Sequence, residues 1–223
     1  KVIYVTTFSD VSGAFYTGEP IKDDDPRTLT YTGDHAFYGI TKVTACELLE
    51  HYHQQFGIQT IIFRIPTVYC NDTNFNYYVD GELKTKAYVQ MIQSIVNKGE
   101  VEIWGNPENA KDMPYVKDFA NLINKAVNDN HAQGIYNAGT ANPVSLENLV
   151  DNMIAVFGEG KKVKKIYKPG HRSQPNFTFN MDKTFQQFDF KVEFGIKNLL
   201  LDIKDSIGLD AFKSPIQPKT NNV

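Results

Sequence analysis

The stretch Tyr38-Gly39-Ile40-Thr41-Lys42 decides how this chain of 223 residues is interpreted. It opens a helical pattern in which apolar residues recur every three or four positions up to about Phe56. Positions four apart lie on one helical face, so the Tyr38 phenol and the Lys42 ammonium can point into one site. A cation about 4 Å away favours a phenolate by roughly 4 kcal/mol at an effective dielectric near 20, which makes a tyrosine a proton acceptor near neutrality. The same pair also arises by chance, since a half-buried tyrosine and a surface lysine on an ordinary helix have the same spacing.

Two apolar runs flank this helix and predict buried parallel strands. The first, Lys1–Thr7, leads into hydroxyl side chains at Thr6, Thr7 and Ser9, and the second, Gln59–Ile65, ends before Pro66. Strand, crossover, helix and strand form a βαβ unit, which predicts an α/β fold with a parallel sheet. Hydroxyls past the carboxyl end of such a strand lie where open α/β sheets bind ligands, although a Ser/Thr turn that closes a strand has the same composition.

The rest of the chain alternates further helical and strand patterns. We expect an irregular loop over Asn71–Asp80 and a disordered tail over 213–223, which is rich in Pro and Asn. The predicted helices are Leu83–Asn97, Tyr115–Val127, Ser145–Phe157 and Phe194–Ile207, and the predicted strands are Val101–Trp104, Gly134–Gly139 and Val163–Tyr167.

Composition is that of a soluble globular protein, with 41% hydrophobic and 22% charged residues. The net charge of −3 gives no case for nucleic acid or an anionic membrane as the main partner. No apolar run approaches the roughly 20 residues that span a bilayer, and no signal peptide is visible. The cysteines Cys46 and Cys70 fit a reducing compartment and no metal site, so we expect a cytoplasmic protein.

Five segments in this order resemble one family, the extended short-chain dehydrogenases/reductases of the NAD-dependent epimerase/dehydratase group. Each segment alone is weak, but their order and spacing over about residues 1 to 210 are hard to obtain by chance. The five are Thr6-Thr7-Phe8-Ser9 after the first strand, Phe37–Lys42 with Ala45 and Glu47-Leu48-Leu49, Phe63–Tyr69, Lys111–Ala120, and Ile135–Gly139 with Val144-Ser145-Leu146.

The resemblance implies a fold and a division into domains. The fold would be α/β, the C-terminal part of a Rossmann-like parallel sheet with a smaller α/β substrate-binding domain. Residues 1–70 would form the second half of the Rossmann-like NAD(P)-binding domain, with 113–140 packing back on it. Residues 71–112 and 141–212 would form the substrate-binding domain, and 213–223 the tail.

The resemblance also implies catalytic roles for three residues. Tyr38 would take or return a hydroxyl proton, Lys42 would hold the nicotinamide ribose, and Thr7 would orient the substrate oxygen. Counting back from Gly13 by the family's spacing places the active-site hydroxyl residue at Phe8. A one-residue insertion would place it at Thr7 instead, and Thr6 and Ser9 are the alternatives.

Further contacts follow from the same resemblance. Pro66, Thr67 and Val68 would run past the nicotinamide of NAD or NADP, and Thr67 also stands where many members contact substrate. Lys111 replaces an arginine that often grips substrate phosphates, and it keeps the charge without the bidentate fork. Arg172 is a second candidate for the phosphate, or else a surface arginine in a polar loop. The expected substrate is a nucleotide sugar, and the expected assembly is a homodimer that pairs through the helix carrying Tyr38.

One departure from the family is large. The G-x-x-G-x-x-G turn that seats the cofactor pyrophosphate on a helix N-terminus is absent from these residues. We therefore expect an enzyme that is active only with that missing N-terminal half. The alternative is a non-catalytic remnant or binding module that keeps the fold without the cofactor. Reduction, epimerisation and dehydration stay open, because Asp10 is the only carboxylate beside the hydroxyl cluster and dehydration needs an additional acid–base pair.

Overall fold

A computed structural model describes residues 1–33, 36–79 and 81–213. Two short 3₁₀ helices, Phe8–Ala14 and Leu209–Phe212, accompany the regular elements. The helices are α1 Ala36–Phe56, α2 Ala87–Lys98, α3 Val116–Asn128, α4 Leu146–Phe157, α5 Asp182–Phe188 and α6 Ile196–Ile207. The strands are β1 Val2–Thr7, β2 Thr60–Ile65, β3 Asn76–Val79, β4 Glu82–Thr85, β5 Glu100–Trp104, β6 Ala110–Lys111, β7 Gly134–Asn137, β8 Val144–Ser145 and β9 Lys164–Lys168.

The chain divides into two compact units, and the division is discontinuous in sequence. The first unit comprises Lys1–Tyr69, Ala110–Val144 and Pro175–Phe194, and the second comprises Cys70–Asn109, Ser145–Gln174 and the described residues from Gly195 onward. The segment Pro175–Phe194, predicted to belong to the substrate-binding domain, lies in the first unit because Phe177, Phe179 and Phe188 belong to its core. That the second unit binds substrate stays a prediction.

A three-stranded parallel sheet organises the first unit, in the order β1-β2-β7. Ile61 and Phe63 alternate on β2 and pack with Leu122 and Ala126 of α3, as one face of a sheet packs on an amphipathic helix. Burying a side chain of this size contributes roughly 1.5–3 kcal/mol. The register sets Thr7 beside Ile65, so β1 and β2 end at the same edge of the sheet.

The second unit contains a parallel pair of strands, β5 and β9, on which α2 and α4 pack, and a third helix, α6. Helix α4 contacts both α2 and α6, and α2 also contacts β5. The core contains buried aliphatic side chains at Val89, Ile92, Ile95, Val101, Ile103, Leu149, Val150, Met153, Leu199, Leu200 and Ile203. Ser145 caps α4, because its Oγ accepts a hydrogen bond of 3.1 Å from the amide of Asn148.

Two predicted elements are wrong, and five elements were not anticipated: β3, β4, β6, β8 and α5. The irregular loop predicted over Asn71–Asp80 contains β3, which pairs with β4 in an antiparallel hairpin. The predicted helix therefore begins at Ala87 and not at Leu83, since Leu83 lies in β4. Helix α5 was not predicted, and it is held by Thr184 and Phe188, which are buried in the first unit. Residues 214–223 of the predicted disordered tail lie outside the described residues.

Candidate active site

The Tyr38–Lys42 pair lies on the first turns of α1, beside β1. The Lys42 ammonium donates a 2.9 Å hydrogen bond to the carbonyl of Val5 and lies 5.8 Å from the centroid of the Tyr38 ring. It also lies 4.9 Å from the centroid of the Tyr4 ring. The Tyr38 side chain is 47% exposed. A helical spacing of four thus brings the cation and the phenol to one place, anchored to the sheet and open to solvent.

The three candidate hydroxyls at the end of β1 differ in their surroundings. Thr6 is buried and faces the Cys46 thiol of α1. Thr7 is buried too, and its Oγ accepts a hydrogen bond from the amide of Ser9 at 3.2 Å, which caps the first 3₁₀ helix. The Thr7 hydroxyl donates to the Ser9 Oγ, also at 3.2 Å, and Ser9 is only half-buried. Thr7 and Ser9 therefore form a hydroxyl pair, whereas the Thr6 hydroxyl is buried and has no hydrogen-bond partner among the described residues.

The segment after β2 begins at the edge of the sheet where β1 also ends. Pro66 is buried, Val68 is half-buried, and Thr67 between them is exposed. Because Thr7 pairs in register with Ile65, Pro66 is the next residue past the strand end that Thr7 marks. The predicted cofactor segment therefore begins one residue past Ile65, the strand partner of the predicted hydroxyl residue Thr7.

Lys111 and its neighbour Asp112 have different environments in the first unit. Lys111 is half-buried, and burial lowers the pKa of its ammonium. Asp112 is fully buried and accepts four hydrogen bonds, from Thr140 (amide and hydroxyl), the Thr178 hydroxyl and the Phe179 amide, at 2.6–3.1 Å. Asp112 therefore ties the chain after β7 to the segment 178–179, and a role for Lys111 in binding an anionic ligand stays a prediction.

Arg172 lies in the second unit, in the loop after β9, and its side chain is exposed. The adjacent His171 stacks on Trp104 with ring centroids 4.4 Å apart, and the indole is 49% exposed. This pair was not predicted, although a tryptophan that ends a strand just before Gly105 was an available signal. An exposed aromatic face suits a planar ring, and Arg172 follows His171 directly in the chain.

A buried ion pair lies behind the hydroxyl pair and was not predicted. Asp10 and Arg64 are both fully buried, and Arg64 Nε donates to Asp10 Oδ1 at 2.9 Å. The sequence placed Asp10 beside the hydroxyls but gave no signal for its partner on β2, because the two residues are far apart in the chain.

Residues 1–33, 36–79 and 81–213 contain no helix that is long and apolar enough to cross a membrane. Nor do the same ranges contain a cluster of His, Cys, Asp and Glu side chains able to hold a metal ion.

Solved structures share this fold over most of the chain. A UDP-glucuronic acid 4-epimerase from Bacillus cereus, in complex with NAD, matches with a TM-score of 0.69 at 18% identity over 95% of this chain and 62% of that one. A UDP-glucose 4-epimerase from Thermotoga maritima, with UDP-glucose, matches with a TM-score of 0.70 at 19% identity over 91% of this chain and 62% of that one. The protein is therefore α/β with a parallel sheet, like NAD-binding epimerases.

Curated relatives are longer than this chain. An uncharacterized protein of Methanocaldococcus jannaschii is 26% identical over 92% of this chain and 60% of its own length. An uncharacterized UDP-glucose epimerase of Bacillus subtilis is 27% identical over 54% of this chain and 36% of its own length. The chain thus spans about 60% or less of the curated relatives it matches.

The sequence pattern of one family covers more than half of the chain. The match runs over residues 1–139, which contain Thr7, Tyr38, Lys42 and the segment after β2. The chain belongs to the NAD dependent epimerase/dehydratase family.

Proposed function

We propose that the complete polypeptide containing residues 1–223 is an NAD(P)-dependent epimerase, dehydratase or reductase of a nucleotide sugar. The observation that carries this proposal is the exposed Tyr38 phenol one helical turn from Lys42, whose ammonium is anchored on β1. The family match supports it, and so do relatives whose names specify UDP-sugars. In this proposal the first unit is the C-terminal part of a Rossmann-like domain, and the second unit contributes to substrate binding.

Each catalytic side chain has one role in this scheme. Tyr38 exchanges a proton with the hydroxyl oxygen of the sugar at the carbon that is oxidised or reduced. Lys42 stabilises the phenolate of Tyr38 and donates hydrogen bonds to the ribose next to the nicotinamide. Thr7, with Ser9 behind it, holds the same sugar oxygen in line with the phenol. The nicotinamide, when bound, supplies the acceptor and donor of the hydride.

The residues present fit the nicotinamide end of the cofactor. An ammonium carries three N–H bonds, and the Val5 carbonyl takes one of those of Lys42, so the donor set suits a ribose diol. The pyrophosphate end has no counterpart, since these 223 residues contain no G-x-x-G-x-x-G turn. We infer that the cofactor site is completed by sequence outside this chain, on the same polypeptide or on another.

The substrate side draws on cations and aromatic rings. Lys111 and Arg172 are the candidates for the diphosphate, and the open face of Trp104 is suited to the base of a nucleotide sugar. Thr67, exposed just past β2, is the candidate for the sugar itself.

The alternative function is a non-catalytic binding module that keeps the fold. The absence of a Gly-rich turn from residues 1–223 favours it. The Tyr38–Lys42 geometry favours the enzyme, because a fold without chemistry does not need a cation beside an exposed phenol.

An NADH titration of residues 1–223, followed by nucleotide fluorescence, tests the incomplete cofactor site. We expect no saturable binding below millimolar NADH, and micromolar binding by the complete polypeptide. Lys42→Ala in the complete polypeptide should weaken that binding, and Lys98→Ala, an exposed lysine near the end of α2, should not. Micromolar binding to residues 1–223 alone that Lys42→Ala weakens would show that these residues complete a nucleotide site by themselves, contrary to the proposal.

Turnover of the complete polypeptide separates the two functions. UDP-glucose and related nucleotide sugars would be incubated with NAD⁺ or NADPH and the products separated by chromatography. A converted sugar supports the enzyme, and micromolar nucleotide binding without conversion of any of these sugars supports the binding module.

A further inference from the structure

The Asp10–Arg64 ion pair is buried where most charges are excluded. Neither side chain has any exposure to solvent. Taking two such ions out of water costs several kcal/mol each, and their attraction often does no more than offset that cost. Net stability is therefore a weak explanation for the pair, and its place in the fold offers a better one.

Arg64 joins the ends of all three strands of the β1-β2-β7 sheet. It is the penultimate residue of β2, it contacts Asp10 just past β1, and its Nη1 donates to Asn137 Oδ1 at 3.2 Å at the end of β7. The same Nη1 lies 3.2 Å from the carbonyl of Lys22 and 3.4 Å from that of Asp23. One guanidinium thus holds together the edge of the sheet from which the candidate catalytic segments leave.

Asp10 in turn holds the hydroxyl pair. It lies in the first 3₁₀ helix, which Thr7 caps and which contains Ser9. The carbonyl of Asp10 accepts a 2.6 Å hydrogen bond from the amide of Thr28, so this turn is fixed to a second loop as well. Moving Asp10 would therefore move Thr7 and Ser9 with it.

The geometry of the pair is set by these attachments. Asp10 Oδ2 and Arg64 Nη2 are buried, and neither has a hydrogen-bond partner among the described residues. They are the two atoms that the second bond of a side-on carboxylate–guanidinium fork would join. The pair thus makes one of the two hydrogen bonds open to it, because its neighbours on both sides determine where each group lies.

We propose that Asp10 and Arg64 are positioning residues that fix the Thr7–Ser9 hydroxyls relative to the Tyr38 phenol. This inference rests on the proposed function of that site. It assigns Asp10 no acid–base role, because its carboxylate faces Arg64 and not the substrate side. A misplacement of about 1 Å in a catalytic group can cost about 100-fold in rate, so the pair affects turnover more than substrate affinity.

The test uses the complete polypeptide with Asp10→Asn and Arg64→Lys. The matched control is Asp118→Asn, since Asp118 is also buried and accepts hydrogen bonds from the Glu193 and Phe194 amides without touching the hydroxyl turn. We expect kcat per folded molecule to fall at least about tenfold in Asp10→Asn with KM within about twofold. Arg64→Lys should lower kcat as well. A lysine keeps the positive charge but lacks the planar guanidinium, whose several donors have a fixed geometry. An unchanged kcat in folded Asp10→Asn, or an equal loss in Asp118→Asn, refutes the proposal.

A second measurement does not depend on turnover. The amide of Ser9 is bonded to Thr7 Oγ, so its hydrogen-exchange protection reports the position of the hydroxyl turn. Protection should fall in Asp10→Asn and stay unchanged in Asp118→Asn. If the wild-type polypeptide converts no nucleotide sugar, the proposed function fails, and the positioning proposal is decided by Ser9 alone. Unchanged Ser9 protection in Asp10→Asn refutes it in that case.

Discussion

The role of Tyr38 in proton exchange can be tested by removing its phenolic oxygen. Tyr38→Phe keeps the ring beside Lys42 and removes the group that exchanges the proton, so turnover of the complete polypeptide should fall at least about 100-fold with little change in KM. Tyr52→Phe is a matched control, since Tyr52 lies on the same helix and is 46% exposed against 47% for Tyr38. Steady-state kinetics on both variants decides the point. An equal loss of turnover in the two variants, or no loss in Tyr38→Phe, would show that Tyr38 does not exchange the proton.

Asp10 makes stability depend on pH in a direction that can be measured. Burial raises the pKa of Asp10, and the Arg64 and Arg27 guanidinium groups oppose this effect without cancelling it. The folded chain therefore protonates Asp10 at a higher pH than the unfolded chain, and ionised Asp10 lowers the free energy of unfolding. This cost is relieved as the pH falls through the raised pKa towards the ordinary value of about 3.9. The wild-type free energy of unfolding minus that of Asp10→Asn should thus increase as the pH falls.

Asp129 provides a control of opposite sign. Desolvation raises the pKa of Asp129, but hydrogen bonds from the Gln187 side chain and from the His131 and Ala132 amides outweigh it, and the pKa is lowered. Its stabilisation is present above the ordinary pKa and is lost as the pH falls. Urea denaturation between neutral and acidic pH should therefore give slopes of opposite sign for Asp10→Asn and Asp129→Asn. Parallel slopes would show that burial does not raise the pKa of Asp10.

The elements nearest the candidate site were the ones predictable from sequence. Strands β1 and β2 are short apolar runs, and α1 lies between them; Gly57 marks the end of α1 and Pro66 the end of β2. The β3–β4 hairpin was missed because a segment rich in Asn and Tyr was interpreted as a loop. The Asp80-Gly81 dipeptide between two short runs was a hairpin signal that was overlooked, and Gly81 has the positive φ of +78° that such turns need. Helix α5 has seven residues and depends on tertiary packing, so no local pattern predicted it.

The candidate site was predictable only where its chemistry is local. A spacing of four on one helix placed Tyr38 and Lys42 together, and the end of a strand placed the hydroxyls. The Asp10–Arg64 pair is a contact between residues 54 positions apart, and neither residue type in its own segment indicates the other. The same holds for Trp104 and His171, which meet because β5 and β9 pair in register.

The contribution of the Ser145 cap of α4 to the free energy of unfolding can be predicted. Ser145→Ala removes the hydrogen bond to the Asn148 amide, which should lower the free energy of unfolding by about 1 kcal/mol. Ser145→Thr retains the oxygen and should lose less. Ser94→Ala, within α2, is the control and should be neutral or slightly stabilising, since alanine is the better helix former. Thermal and urea unfolding monitored by circular dichroism would contradict this role of the cap if Ser145→Ala and Ser94→Ala behaved alike.

At the scale of the molecule, sequence order and packing order differ. The chain enters the first unit three times, and its third entry, Pro175–Phe194, brings Phe177 onto Phe8 and Phe15, with ring centroids 5.3 and 4.7 Å away. These aromatic contacts join the first 3₁₀ helix to a segment more than 150 residues later. The return of the chain to the first unit could not be predicted from the sequence. Nothing in the residues around Phe177 specifies which of the two cores this side chain enters.

Helix α1 presents a stripe of exposed apolar side chains, from which we predict a homodimer. Leu48, Tyr52 and Phe56 recur every four residues and are 54%, 46% and 62% exposed, so one side of this helix presents apolar surface to solvent. We propose that a second copy covers it, because a two-fold axis lets the same stripe pack on itself. Light scattering after size exclusion should show a dimer, and Leu48→Glu should give a monomer, since it buries a charge in that contact. Leu201→Glu, at a 39% exposed leucine of α6, is the matched control and should stay dimeric. A wild-type monomer, or a Leu48→Glu dimer of unchanged stability, would show that α1 is not the contact.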